Sequence, residues 1–123
     1  MEFTSELDKS SGVCKVIVTG EVQRPDDSDT LKRFAIKFSA EYDCNRFLFD
    51  LKQTTIIGGT MNTFSAANPQ GELADGLRKI RTAVVRNKLT SDDQFFETVA
   101  VNRGFQLNIF DSEEKAKSWL LQT

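Results

Sequence analysis

The sequence predicts an α/β fold, a mixed sheet of four or five strands with about four helices mainly on one face. Three observations carry that expectation. The chain opens with strand-like alternation on either side of a polar turn, and it then alternates helix and strand three times. The helical stretches between strands have the length of right-handed crossovers, which calls for parallel pairing, while the opening hairpin adds an antiparallel edge.

The hairpin consists of a weak strand near Glu2–Leu7, turn residues Asp8 to Gly12, and a clear strand from Val13 to Val22. Cys14, Val16 and Val18 alternate with Lys15 and Thr19, so that strand has one face to bury. Pro25 and the acidic residues Asp26, Asp27 and Asp29 open a helix, where short oxygen-bearing side chains cap free N–H groups and negative charge suits the N-terminus. Leu31, Phe34, Ala35, Phe38 and Tyr42 then form one apolar stripe at helical spacing.

Phe47–Leu51 is apolar on both faces until Asp50, as an interior strand would be. It is expected to end in a loop at Lys52–Thr55. A second helical region starts at Thr60 with Met61 and Phe64 facing inward, breaks near Asn68-Pro69, and resumes with Leu73, Ala74 and Leu77. Arg81–Val85 reads as the next strand. Ser91 with Gln94 forms a capping box for a helix through Phe95, Phe96, Val99 and Ala100, closed by Gly104. Phe105–Phe110 is the last strand, and Asp111 with Glu114 makes a second capping box before Ala116, Trp119 and Leu120. Residues 1–123 read as one domain without a linker or repeat.

Composition narrows the function. With 16 Lys plus Arg against 18 Asp plus Glu, the chain has no field for condensing on a nucleic-acid backbone or an anionic membrane. Histidine is absent, which removes the common nucleophile–base pairs and His-ligated metal sites, so no catalytic residue, metal or cofactor is assigned. Cys14 and Cys44 are too few for a disulfide framework and too far apart for a CxxC pair; with no basic-then-apolar leader at the N-terminus, a cytoplasmic location is expected.

The element order, Phe47-Leu48-Phe49-Asp50-Leu51 leading into a loop and helix, Ala83-Val84-Val85, and the closing Phe110–Leu120 stretch with its acidic start and terminal Trp-Leu together resemble the STAS domain of sulfate transporters and anti-sigma factor antagonists. The resemblance is closest to the SpoIIAA-like proteins, whose βα superhelix is related in fold to the CRAL-TRIO lipid-binding domains. It implies a non-enzymatic regulatory module with a protein partner. In the antagonist branch, an Asp-Ser pair after the central strand carries the serine that an anti-sigma kinase phosphorylates. Counting from Asp50, those positions fall on Gly58 and Gly59, so the usual phosphoacceptor is missing and Thr60 beside it is the candidate substitute.

The candidate site is therefore Gly58, Gly59, Thr60, Met61 and Asn62, within a Thr54–Asn62 loop at the carboxyl end of the central strand, where open α/β sheets bind ligands. The plainer reading is a tight turn whose threonines cap a helix. The CRAL-TRIO relationship implies an alternative, a small-molecule or lipid ligand lined by the abundant phenylalanines, although Phe34, Phe38, Phe47, Phe49, Phe64, Phe95 and Phe110 all fall on expected core faces. Asp26, Asp27 and Asp29 lack the glycine and glutamate of a calcium loop. Arg78, Lys79, Arg81, Arg86, Lys88 and Arg103 either gather around one strand, which would suit a protein partner or an anionic ligand, or lie on an ordinary solvated face.

Overall fold

The computed structural model describes residues 1–122. Its elements are β1 (Glu2–Asp8), β2 (Val13–Gln23), α1 (Asp26–Tyr42), β3 (Arg46–Ile57), α2 (Thr60–Ala67), α3 (Gly71–Leu77), β4 (Arg81–Val85), α4 (Ser91–Asn102), β5 (Gln106–Phe110) and α5 (Glu113–Leu120). One five-stranded sheet has the order β1-β2-β3-β4-β5, with β3 at its centre. The β1–β2 pair is antiparallel and every later pair is parallel. The sheet is thus mixed and Phe47–Leu51 interior, as the apolar run implied.

Strands that pair in chain order and in parallel force every crossover the same way across the sheet, so the connecting helices share one face. The larger core lies there: Cys14, Val16, Val18, Phe47, Phe49, Val84 and Ile109 meet Leu31 and Ala35 of α1, Ala66 and Ala67 of α2, and Phe96 of α4. The opposite face is covered by α5 alone, with Ala116 and Leu120 packed on Val13, Leu48, Ala83 and Val85. Lys15 of β2 reaches Glu113 at 2.6 Å, and this hydrogen bond is the main cause that lowers the Glu113 carboxyl pKa. Among the described residues no helix is long and apolar enough to cross a membrane.

Several local expectations shift by a residue. The Ser91–Gln94 box is in fact Thr90–Asp93, in which each side chain bonds the other's backbone N–H. The Asp111–Glu114 box becomes a cap by Ser112, which accepts from the Lys115 N–H. Spacing locates such a cap only to within a residue, because Thr90 and Ser91, like Asp111 and Ser112, are adjacent residues of similar capping chemistry. The N-terminus of α1 carries no side-chain cap; Asp27 instead accepts from the Gln23 N–H at 2.8 Å, and Asp29 pairs with Lys32. The break at Asn68-Pro69 is complete enough to make α2 and α3 separate helices, so there are five helices where about four were expected.

Three residues expected to face inward do not: Met61 is 75% exposed, Tyr42 59% and Phe95 36%. Tyr42 lies in the last turn of α1, where its ring is tilted against that of Phe38 with centroids 4.5 Å apart. Phe95 loses the interior to its neighbour Phe96, which α4 turns into the core.

Leu120 is fully buried, whereas Trp119 is half-buried against Phe110. Leu120→Ala should cost about 2–5 kcal/mol, and Trp119→Ala less than the ~3–5 kcal/mol of a fully enclosed aromatic. Urea unfolding of the two variants checks the order; equal midpoints with wild type would mean that α5 does not hold the second face.

Candidate functional site

The Thr54–Asn62 segment is not one loop: Thr54–Ile57 belong to β3, Thr60–Asn62 to α2, and only Gly58 and Gly59 lie between them. β3 runs on to Ile57 because β2 stays paired with it, up to Gln23 opposite Ile57. β4 stops earlier, at Val85 opposite Asp50. The polar residues Lys52 to Thr55 misled the sequence reading because this part of β3 has lost its β4 neighbour and alternates between half-buried and exposed positions. The bared edge is satisfied by side chains: Thr54 Oγ1 donates to the Leu51 carbonyl at 2.7 Å, Asn87 donates to that of Lys52 at 2.8 Å, and Arg86 reaches Thr54 Oγ1 at 3.2 Å. Thr54 is thereby spent on the fold.

What remains of the loop is Gly58-Gly59. Gly58 has φ +141°, and a Cβ there would lie 3.0 Å from Asn62 Cβ and 3.3 Å from Arg24 Cβ. Both the backbone and the close approach of the β2–α1 connection therefore require glycine. Gly59 is the N-cap of α2, in extended backbone, so Thr60 is the first helical residue and its side chain caps nothing. The reading in which threonine caps this helix is corrected. The Thr63 N–H bonds the Gly59 carbonyl at 2.9 Å, while Thr60, Met61 and Asn62 all lie exposed on the first turn.

Behind this turn lies a polar cluster that no motif announced. Arg24 is 8% exposed; its guanidinium stacks on the Phe96 ring at 4.7 Å, and NH1 donates to Thr63 Oγ1 at 3.4 Å. Its backbone N–H donates to the Ile57 carbonyl at 2.8 Å, fixing it beside Gly58. Lys32 of α1 lies 5.8 Å from the same ring, pairs with Asp29 at 3.4 Å, and also donates to the Ala66 carbonyl. Arg86 and Asp93 pair at 3.5 Å. Burial pulls the Arg24 pKa below its ordinary value, an effect that Asp93 partly offsets. The only sequence signal for the cluster was Asp93 at capping-box spacing from Thr90; Arg24, just before α1, and Lys32, within it, meet Phe96 of α4 through the crossover of α1.

The basic residues lie about β4 but divide between its two ends, with Arg78 donating to the Arg103 carbonyl at 3.1 Å at one of them. Arg78, stacked on Phe105, and Arg81, stacked on Trp119, lie at the amino end of β4, while Arg86 follows its carboxyl end. A strand's length separates the two groups, because successive residues of a strand advance along it rather than clustering.

Gly58→Ala should lower stability by about 1–3 kcal/mol, the usual cost of a strained backbone position. Gly59→Ala should cost less, about 0.5–1 kcal/mol, since nothing lies within 4 Å of its missing Cβ and only the poorer N-cap quality of alanine counts against it. Comparing their urea midpoints checks this, and equal effects would contradict the packing of Arg24 on Gly58. Stability should also depend on pH. Burial lowers the Lys32 pKa from 10.5 to about 8, so the unfolded chain binds a proton that the folded chain has released between those values. That contribution is smallest below pH 8 and rises toward 10.5, by up to about 3 kcal/mol. Burial, with the Cys44 thiol adjoining, raises Cys14 from 9.0 to about 11, which acts in the opposite sense above pH 9. Wild type should therefore gain stability from pH 8 to 9 and Lys32→Met should not; parallel urea midpoints would refute the assignment.

No protein-family model and no curated protein matches the sequence. Solved structures do match. The anti-sigma factor antagonist SpoIIAA, in its unphosphorylated form, superposes with a TM-score of 0.56 at 12% identity, over 93% of this chain and 92% of that one. An uncharacterized DUF3478-family protein with a SpoIIAA-like fold from Shewanella loihica PV-4 gives 0.57 at 9% identity, over 97% and 92%. At such identities the likeness is one of fold, and the expectation drawn from the element order and the Phe47–Leu51 and Phe110–Leu120 stretches is met: the chain has a SpoIIAA-like fold.

Proposed function

We propose that residues 1–123 form a non-enzymatic cytoplasmic regulatory module, similar to an anti-sigma factor antagonist, which offers the first turn of α2 to a protein partner. The observation that carries this reading is the exposure of Met61 on that turn, 75% open to solvent next to Thr60 and Asn62. A large apolar side chain held out from a helix N-terminus is a ready anchor for a partner surface. Leu89, 39% exposed before α4, lies at the same carboxyl end of the strands. The fold shared with SpoIIAA supports a protein partner over nucleic acid or membrane, and the near-balanced charge agrees.

In this reading Thr60 is the phosphoacceptor in place of the missing serine. A phosphate there would add about −1.5 to −2 charges where free backbone N–H groups and the helix dipole accommodate it. The fold would bear the modification, whereas a partner seated over Met61 would face a desolvated anion and dissociate.

A photo-crosslinker at position 61 in the native cells should give one discrete protein adduct, and one at the exposed position 42 should not. Thr60→Glu should lower that adduct at least about tenfold while leaving the unfolding temperature almost unchanged, because Thr60 caps nothing. Thr60→Ala should keep the adduct, and phosphopeptide mass spectrometry should find Thr60 modified. Equal adducts at both positions, or a Thr60→Glu protein that crosslinks normally, would refute the proposed surface.

A further inference from the structure

A buried arginine without a counter-ion is the least explained feature of the molecule. Arg24 is 8% exposed, its Nε has no hydrogen-bond partner, and its single side-chain bond is the long one to Thr63. Among the described residues no carboxylate pairs with it; Asp93 and Asp92 act on it only at longer range. A guanidinium taken from water in this way is costly unless an anion joins it. Arg24 also lines an apolar cavity of about 90 Å³ between the sheet and the helices, as do Lys32, Asp93 and Phe96.

We infer that this cavity binds a short-chain monocarboxylate, its carboxylate on Arg24 and Lys32 and its alkyl chain against Phe49, Phe96 and Leu107. The donors are available. Lys32 spends two of its three N–H groups on Asp29 and Ala66, and Arg24 spends one of five on Thr63. The charge matches a monoanion: Arg24, Lys32, Arg33 and Arg86 face Asp29, Asp92 and Asp93, which leaves one positive charge unmatched. A dianionic phosphate would exceed it. The size matches a short chain, since a cavity of about 150 Å³ is known to hold benzene, and the smaller one here has room for an alkyl group of about three carbons. This site lies beneath the α2 turn and does not depend on the protein partner proposed for that surface.

The test is a titration with butyrate followed by NMR of the Arg24 Nε–Hε and Phe96 signals, with butyramide supplying the shape without the charge and inorganic phosphate the charge without the chain. Butyrate should shift these signals saturably, butyramide should bind at least about tenfold more weakly, and phosphate should leave the Phe96 signals in place. Arg24→Met, which keeps a stem over Phe96, should abolish the rise in unfolding temperature that butyrate causes, and Lys32→Met should weaken binding several-fold. If Arg24→Met does not fold, the three ligands on wild type and the Lys32→Met titration decide the matter. No saturable shift with butyrate, equal binding of butyramide or phosphate, or undiminished binding by the folded variants would overturn the assignment.

Discussion

The long parallel pairing of β2 with β3 governs the rest of the molecule. It runs from Val13 opposite Arg46 to Gln23 opposite Ile57 and outlasts the β3–β4 pairing, which ends at Asp50 and Val85. Two strands that end together deliver their following connections to the same height. The Arg24–Pro25 connection and the Gly58-Gly59 turn are therefore pressed side by side, bound through the Arg24 N–H and the Ile57 carbonyl, with any side chain at position 58 strained and crowded. Everything assembled at this end, from the exposed turn of α2 to the arginine beneath it, follows from that shared termination.

The division of labour between the faces has an equally simple cause. Parallel strands laid down in chain order give crossovers of one hand, so α1 to α4 accumulate on one side and build a thick layer over Phe47 and Phe49. Only the last element is free to take the other side. The short helix α5 does so, and it closes a core of small and branched side chains around Leu48 and Leu120. The thick layer has enough depth to hold a cavity and a polar cluster, whereas the thin one is a single helix laid on the sheet.

Within the thick layer, the burial of two cations works against stability. Phe96 serves as a shared platform for Arg24 and Lys32, which gives both cations some compensation without neutralising them. A hydrophobic residue at either position would fill the layer at lower cost in desolvation. The outer surface shows the same tension on a smaller scale, with Met61 held out in water one turn from the buried Thr63 that anchors Arg24. The exposed turn and the buried cation are joined through a single helical turn.

The fold was legible because it rests on local pattern. Alternation at Cys14, Val16 and Val18, the Leu31–Phe38 stripe, the two-sided run at Phe47–Leu51 and the proline break at Pro69 each reflect an element that buries its own face, and such burial leaves a period in the sequence. Crossover length then forces the parallel order. The places where pattern misled are those where a neighbour's length decides the outcome: Lys52–Thr55 became strand because β2 continues beside it, and Met61 turned outward because the cap fell on Gly59. The Gly58–Asn62 position at the strand's carboxyl end could be read from sequence, but the cluster behind it could not. Arg24 with Lys32, Thr63 and Phe96 lie on three separate stretches of the chain and have no common spacing, since their meeting is a property of how three helices cross one sheet. The sequence by itself determined which segments are strands and helices and the order in which they pair, because those depend on periodic burial and connection length. Only the tertiary structure decided which charges are buried together, because that depends on contacts between residues that the chain order keeps apart.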